Sequence, residues 1–264
     1  MRKDNAGSKY ILVLKIEKLT VKKENRFLLK DVSFEMNENE MLMVIGPNGA
    51  GKTTLIKAIM QSVGHEGSAY LNGQDIAKIP ARELAKQIGV LTQNNTQHFS
   101  FTGYEVVSLG RYAYQQGMFS RLDAADEEKI EEAFRMTGTG HLKDRSVLTL
   151  SGGELQRIFL AAVFAQDPKI LILDEPTNHL DIQYQIGIFD TLKEWVKGKG
   201  RSVIAVVHDL NIVYSYGSKA LLLHKGEAYA CGDVESVMNR ENLKVVYEVD
   251  VADWMQNLLK HWKT

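Results

Sequence analysis

The sequence predicts an α/β core with an antiparallel β region on its N-terminal side and a helical insertion near its middle. Three observations carry that prediction. Short, continuous apolar runs occur at residues 41–45, 169–176 and 201–209 ("MLMVI", "KILILDEP", "RSVIAVVHD"). Runs of this kind suit a parallel sheet covered on both faces. They alternate with segments of helical periodicity, the pattern of strand–helix–strand units. Between about residues 94 and 166 the strand signal fades and helical patterns replace it.

The elements follow in order. "KYILVLKIEKLTV" and "LLKDVSFEMNENEMLMVIG" are rich in β-branched and apolar residues and read as strands of an antiparallel region leading into a buried strand at 41–45. Residues 53–61 read as a helix. "GSAYLNGQDI" is a strand and turn, with Asn72-Gly73 as the turn signal. Residues 82–86 form a short helix and "IGVLTQ" another strand. "EVVSLGRYAY", "AADEEKIEEAFRMTG" and "GELQRIFLAAVFAQ" are helical. "YQIGIFDTLKEWVK" is a helix between the two later core strands, "KALLLHKGEAYACG" a hairpin centred on Lys225-Gly226, and helices close the chain. There are no low-complexity segments, long linkers or internal repeats.

Composition narrows the function classes. The chain has 264 residues, 44% hydrophobic and 25% charged, which is enough apolar material for a sizeable core. The formal net charge is −1, so no global basic field is available for nucleic acid. One cysteine, Cys231, excludes an internal disulfide framework and suits a reducing compartment. Lys15, Glu17 and Lys18 interrupt the N-terminal apolar residues, so no signal peptide is expected. No apolar run approaches the ~18 residues that span a bilayer. A soluble, cytoplasmic protein is expected, with any membrane role exerted through a partner.

"GPNGAGKT" fits G-x-x-x-x-G-K-[ST] at every fixed position, and it sits between a predicted strand and a predicted helix. Glycines let backbone wrap closely around phosphate oxygens, where a Cβ would collide. The freed N–H groups and the helix start face anionic charge. Gly46, Pro47, Asn48, Gly49, Ala50, Gly51, Lys52, Thr53 and Thr54 are therefore the candidate nucleotide-binding set. Lys52 would reach the β- and γ-phosphates, and the Thr53 hydroxyl would ligate Mg²⁺. "ILILDEP" ends an apolar strand with two carboxylates. Adjacent strand residues point to opposite faces. Asp174 is therefore assigned to the Mg²⁺ shell and Glu175 to the attacking water as general base.

"LTLSGGELQR" is the discriminating stretch. Ser151 followed by Glu154 is a capping box, and Gly152 and Gly153 leave the first-turn amides bare. One phosphate loop already fills one phosphate site, so a second anion-facing helix start needs a second explanation.

With these motifs in this order, the chain resembles the nucleotide-binding subunits of ABC transporters over about residues 10–240. "GPNGAGKTT", "LSGGELQR" and "LILDEP" resemble their Walker A, signature and Walker B motifs; Gln93 matches the Q-loop glutamine, Asp181 in "NHLD" the D-loop carboxylate, and His208 the switch histidine. The resemblance implies a P-loop NTPase with a RecA-like core and antiparallel β subdomain (residues 10–93 and 167–240), an α-helical signature subdomain (94–166) and a C-terminal helical cap (241–264). It implies ATP and Mg²⁺ as ligands and a head-to-tail homodimer. Each ATP is then held by Walker A of one copy and by Ser151, Gly152 and Gly153 of the other. Gln93 would contact Mg²⁺ and the attacking water; His208 would bind the γ-phosphate and orient Glu175. The family stacks adenine on an aromatic residue where this chain has Lys23; Phe27 is the nearest aromatic.

"FSFTGYEVVSLGRYAY" and "NHLDIQYQI" are similar to segments of importers for ferric siderophores, haem and cobalamin. That implies polytopic permease subunits docking near residues 94–114 on the cytoplasmic face of the membrane, with a substrate-binding protein as an indirect partner and no nucleic acid. Val106, Val107 and Leu109 are expected to contribute in part to the subdomain core, and Trp254 and Trp262 to core or dimer packing. The rival readings are an exporter half and a soluble ABC ATPase of DNA repair or translation. A long coiled coil, a second motif set or a basic stripe would favour the latter, and the sequence has none.

Overall fold

The computed structural model describes residues 11–92, 100–115, 121–178 and 180–262. Strands β1 (Leu12–Lys23) and β2 (Arg26–Asn37) form an antiparallel hairpin, followed by the short β3 (Met41–Ile45). Strands β4 (Glu66–Leu71) and β5 (Gln74–Asp75) extend the hairpin into a sheet of order β2-β1-β4-β5. Strand β3 belongs to a second sheet with β6 (Ile88–Leu91), β7 (Ile170–Asp174), β8 (Ser202–Val206), β9 (Lys219–His224) and β10 (Glu227–Asp233), in the order β10-β9-β3-β8-β7-β6. All its pairings are parallel except β9–β10. That hairpin turns where the sequence predicts it. Lys225 and Gly226 both have positive φ (49° and 84°), as a two-residue primed turn requires.

Every residue of β3, β7 and β8 is buried, as their unbroken apolar sequence demands. Alternate residues feed two different cores. Met43, Ile45, Leu171, Leu173, Val203 and Ala205 join one cluster, and Leu42, Val44, Ile170, Ile172, Ile204 and Val206 the other. Helix α1 (Lys52–Ile59) and the antiparallel sheet cover the second face through Leu55, Ile59, Leu14 and Leu29. The short α2 (Ala81–Ala85) contributes Leu84 there.

Helices α3 (Gly103–Ser108), α4 (Ala124–Thr137), α5 (Gly152–Ala165), α6 (Ile182–Val196) and α7 (Leu210–Tyr216) supply the first face. Helices α8 (Val234–Val237), α9 (Arg240–Tyr247) and α10 (Val251–Trp262) complete the chain. Among the described residues no helix is long and apolar enough to cross a membrane.

Three local features differ from the sequence expectation. The segment read as one helix over 105–114 is α3 followed by a 3₁₀ helix, Leu109–Tyr114. Gly110 packs so closely on α5 that a Cβ there would stand 2.2 Å from the Ala162 carbonyl oxygen. Helix α7 is not apparent in the sequence: seven residues, "LNIVYSY", are too few for helical periodicity and are rich in strand formers. Asp209 decides the local outcome by accepting from the Asn211 N–H at 2.8 Å as N-cap. Val106 and Val107 are core residues as expected, but Leu109 is 61% exposed; Trp254 is 58% exposed and so is not a core residue of the single chain, which leaves the dimer-packing alternative untouched.

Arg111 ties the helical segment together. It is buried, and its Nε donates to Asp126 Oδ1 at 2.8 Å while Nη1 donates to the Ala165 carbonyl at 2.8 Å. Its guanidinium lies 3.8 Å from the Tyr114 ring centroid. Removing one member of a buried pair strands the other charge. Asp126→Ala should therefore lower unfolding free energy by about 3 kcal/mol or more in urea denaturation, whereas Arg111→Met/Asp126→Leu should recover most of that loss. A loss below about 1 kcal/mol for the single variant would mean that water solvates the guanidinium.

Candidate functional site

The phosphate loop leaves β3 at Ile45 and enters α1 at Lys52. Gly46 has φ 144°, and a Cβ there would stand 2.3 Å from the Leu223 carbonyl oxygen. Gly51 has φ 105°, and its Cβ would meet Leu29 Cδ2 at 2.7 Å and the Leu28 carbonyl oxygen at 2.8 Å. Both positions admit only glycine. The β9–β10 turn braces the loop from outside: the Gly226 N–H donates to the Ala50 carbonyl at 3.1 Å, and its own carbonyl accepts from the Lys30 N–H at 2.8 Å. Asn48 and Gly49 form an exposed tip, with Pro47 half-buried beside it and Ala50 buried. No side chain caps α1, so its first-turn N–H groups, around Thr53 and Thr54, face an incoming anion.

Lys52 folds back over this loop. Its Nζ donates to the Gly46 carbonyl at 2.8 Å and to the Pro47 carbonyl at 3.0 Å. Burial lowers its pKa, against the opposing pull of Glu175 and Asp174. Asp174 ends β7 and is buried; the Thr53 hydroxyl donates to its Oδ1 at 3.4 Å. Burial raises the Asp174 pKa, and the Thr53 hydrogen bond partly offsets it. A hydroxyl and a carboxylate oxygen side by side are donors of the type Mg²⁺ takes. Among the described residues no group of three or more His, Cys, Asp or Glu could hold a metal without such help.

The geometry of Glu175 corrects the sequence argument. Asp174 and Glu175 do not diverge by strand alternation, because the strand ends at Asp174. Glu175 has φ 54°, in the left-handed region that a non-glycine residue adopts only under constraint. The constraint is visible: Glu175 Oε1 lies 2.6 Å from His208 Nε2, and Glu175 Oε2 accepts from the Asn178 side-chain amide. Burial pushes the Glu175 pKa up, but the hydrogen bonds from His208 and Asn178 outweigh it and hold the carboxyl below its ordinary value. Asn178 is absent from the sequence-based candidates. Its only signal is a spacing of three residues from Glu175 in a turn.

The second anion-facing helix start has the predicted form. Ser151 caps α5: its Oγ accepts from the Glu154 N–H at 3.3 Å, and Glu154 Oε2 accepts from the Ser151 N–H at 2.8 Å. The Ser151 N–H and hydroxyl both donate to Glu154 Oε2, at 2.8 Å each, and hold the Glu154 pKa below its ordinary value. Ser151 and Gly152 are exposed. A Cβ on Gly153 would approach Leu180 Cδ2 at 3.0 Å. Asp181 caps α6, accepting from the Tyr184 N–H at 3.1 Å. Gln156 Nε2 donates to the Pro176 carbonyl at 3.2 Å, linking α5 to the turn after Glu175. The structure thus brings Lys52, Thr53, Asp174, Glu175 and His208 together. Among the described residues no hydrogen bond joins 151–153 to the phosphate loop. Gln93 lies outside the described residues. Phe27 is 45% exposed, with Lys22 Nζ 4.9 Å from its ring centroid, and is not a strand-core residue.

The sequence pattern of the family described as ABC transporter matches residues 29–178, more than half of the chain. The chain belongs to the ABC transporter family, as an ATP-binding subunit. The ferric enterobactin transport ATP-binding protein FepC of Escherichia coli (strain K12) is 37% identical over 236 residues, covering 89% of this chain and 86% of its own length. The hemin import ATP-binding protein HmuV of Pseudomonas fluorescens (strain Pf0-1) is 36% identical over 245 residues, covering 90% and 94%. The chain spans about half (51%) of another relative, the uncharacterized ABC transporter ATP-binding protein YvrA of Bacillus subtilis (strain 168), at 37% identity over 226 residues and 85% of this chain. A dimeric ATP-binding cassette solved in a post-hydrolysis state with ADP and Pi shares 26% identity and superposes with a TM-score of 0.73, over 84% of this chain and 98% of that one. ABC ATP-binding subunits are ATPases coupled to transport, and the P-loop fold expected from the sequence is the fold of these structures.

Asn178→Ala removes one of the donors that keep Glu175 ionised. A carboxyl with a depressed pKa loses its charge as pH falls, so loss of a donor moves that titration upward. The acidic limb of kcat/KM against pH for ATP hydrolysis should shift to higher pH in Asn178→Ala, with a larger rate deficit at pH 5.5 than at pH 7.5. Superimposable acidic limbs would show that Asn178 does not set the Glu175 charge.

Proposed function

We propose that this chain is the energising subunit of an importer for a metal chelate of the ferric siderophore, haem or cobalamin kind. The observation that carries its hydrolytic half is the Glu175–His208 pair, 2.6 Å apart, held beside the Lys52 loop. Lys52 exchanges the Gly46 and Pro47 carbonyls for the β- and γ-phosphates of ATP. Ionised Glu175 takes a proton from the water that attacks the γ-phosphate. His208 holds Glu175 in its strained backbone setting and contacts the γ-phosphate. Gln93 contacts the same water. Magnesium, when bound, neutralises phosphate charge, and Thr53 and Asp174 are the residues that would hold it. Phe27 offers the exposed ring nearest in sequence to the position where the family stacks adenine.

A head-to-tail homodimer supplies Ser151, Gly152, Gly153 and Asp181 from the second copy. Permease subunits dock on the segment near 94–114, where Phe101, Leu109 and Tyr112 are exposed; exposed apolar side chains suit a partner helix. In this reading the chain works on the cytoplasmic face of the membrane, coupled indirectly to a substrate-binding protein and with no nucleic acid partner. The chelate reading rests on relatives named for ferric enterobactin and hemin transport.

Glu175→Gln should lose about 100-fold or more in ATP turnover while still binding ATP, and should form an ATP-dependent dimer by light scattering. Pulled down with ATP from native membranes, the tagged variant should bring a polytopic membrane protein and a chelate-binding protein. Recovery of ribosomes, DNA-repair proteins or the bait alone would overturn the importer reading and leave the ATPase standing.

A further inference from the structure

We infer that Gln156, in α5, is a positioning residue for Glu175: its side-chain amide pins the carbonyl of Pro176, and with it the turn that aims the carboxylate at His208. Glu175 stands at φ 54° immediately before a proline, whereas a proline drives the residue ahead of it toward extended backbone. Such a setting persists only where its surroundings over-determine it. The backbone of Glu175 is held on both sides. Its N–H donates to the Val206 carbonyl at 3.2 Å, and its carbonyl accepts from the Asn178 N–H at 3.3 Å. Pro176 has no N–H to offer, so the backbone can be anchored at this residue only through its carbonyl. Pro176 is buried, and a buried carbonyl needs a donor. Gln156 Nε2 donates to it at 3.2 Å. A carbonyl only accepts, so the nitrogen end of the Gln156 amide is the one that faces it.

Helix α5 is a fixed post for that amide. Ile158, Leu160 and Ala161 are buried and set the rotation of the helix, and the Ser151–Glu154 box holds its start. The far end of the turn is held in the same manner. Leu180 is buried, and Gln185 Nε2 of α6 donates to its carbonyl at 2.9 Å. Arg157, beside Gln156, adds a contact between the two helices: its guanidinium lies 4.4 Å from the ring centroid of Tyr184, in the first turn of α6. Two glutamine amides thus grip the two buried ends of the turn that carries Asn178, and Gln156 grips the end next to the carboxylate. The Glu175 side chain receives its bonds from His208 and Asn178. Gln156 touches neither the carboxylate nor His208, so it acts on Glu175 only through the backbone of Pro176.

The inference rests on Glu175 acting on the attacking water. The test is a double-mutant cycle in the full chain with Gln156→Met, which keeps the length of the side chain and removes its donor, and Glu175→Gln. Steady-state ATP hydrolysis is the main readout. Gln156→Met alone should lower kcat about three- to tenfold, the factor that one net hydrogen bond carries, with KM for ATP within about twofold and Tm nearly unchanged. In the Glu175→Gln background the same substitution should change the residual turnover by less than about twofold, because the group it positions is already gone. Gln156→Glu is the second variant. It matches glutamine in size, is ionised at pH 8 and cannot donate there, so its kcat at that pH should fall in the same range. A wild-type kcat in Gln156→Met would overturn the inference. So would an equal loss in both backgrounds, or loss of the ATP-dependent dimer when Gln156→Met is added to Glu175→Gln, since Gln156 would then act through the start of α5. Glu175→Gln alone keeps the two readings apart. Wild-type turnover in that variant overturns the general-base reading and this inference together, whereas a large loss there beside an unaffected Gln156→Met overturns the inference alone.

Discussion

The site depends on the in-register pairing of three parallel strands. Val44 of β3 pairs with Val206 of β8, and Val206 pairs with Asp174 of β7. These residues form one line across the sheet, so the three loops that follow leave it at the same height. The phosphate loop, Glu175 and His208 are brought together by that line, although some 160 residues of chain separate the first from the last. A parallel sheet allows this because its crossovers return every strand to the same edge. A slip of one residue in β7 would turn Asp174 to the opposite face and break the Thr53 contact. The apolar burial on both sides of β3, β7 and β8 specifies the register, so the hydrophobic core sets the geometry of the polar site.

Much of this was legible in the sequence because the relevant signals are local. Glycines at 46 and 51, the Ser151–Glu154 capping box and the Lys225-Gly226 turn are each fixed by backbone geometry within a few residues, and each appears as read. The unbroken apolar runs identified the parallel strands because no antiparallel, one-sided strand could bury them. What stayed hidden was set by contacts distant in sequence. Helix α7 is too short to show a period. The break after Ser108 depends on the close approach of Gly110 to α5. The aim of Glu175 depends on His208, 33 residues away, and on a positive φ that no composition signal announces. Strand alternation gave a divergent pair of carboxylates, but the strand ends one residue earlier and a strained turn separates them.

Strain and charge in the site point the same way. Lys52 is desolvated and donates to two carbonyls, and Asp174 is a buried carboxyl with a raised pKa. Each would gain from an opposite charge: the lysine from a phosphate, the aspartate from a cation. Glu175 differs, since His208 and Asn178 already hold it ionised. The two groups that would hold ligand are thus poised to exchange partners, while Glu175, the group proposed to act on water, is preset. On the proposed mechanism this division would put the rearrangement in binding rather than in the proton transfer, which is where preorganisation lowers a barrier most effectively.

Among the described residues the start of α5 makes no hydrogen bond to the phosphate loop. Ser151 and Gly152 are exposed, and the serine hydroxyl is engaged with Glu154 rather than with any group near Lys52. In the proposed dimer, the first-turn amides of this capped helix would receive their anion from the other copy. Gln156 binds the Pro176 carbonyl, and Gly153 packs near Leu180, so this helix start is coupled to the turn that carries Glu175 and Asn178. A phosphate reaching Ser151 from a second copy would therefore act on two sites at once. It would fill the bare amides and, through Gln156, press on the turn that positions the neighbouring carboxylate. In that arrangement each copy's hydrolytic geometry depends on the nucleotide held by the other, and the separation of the two anion sites within one chain is what makes the dependence mutual.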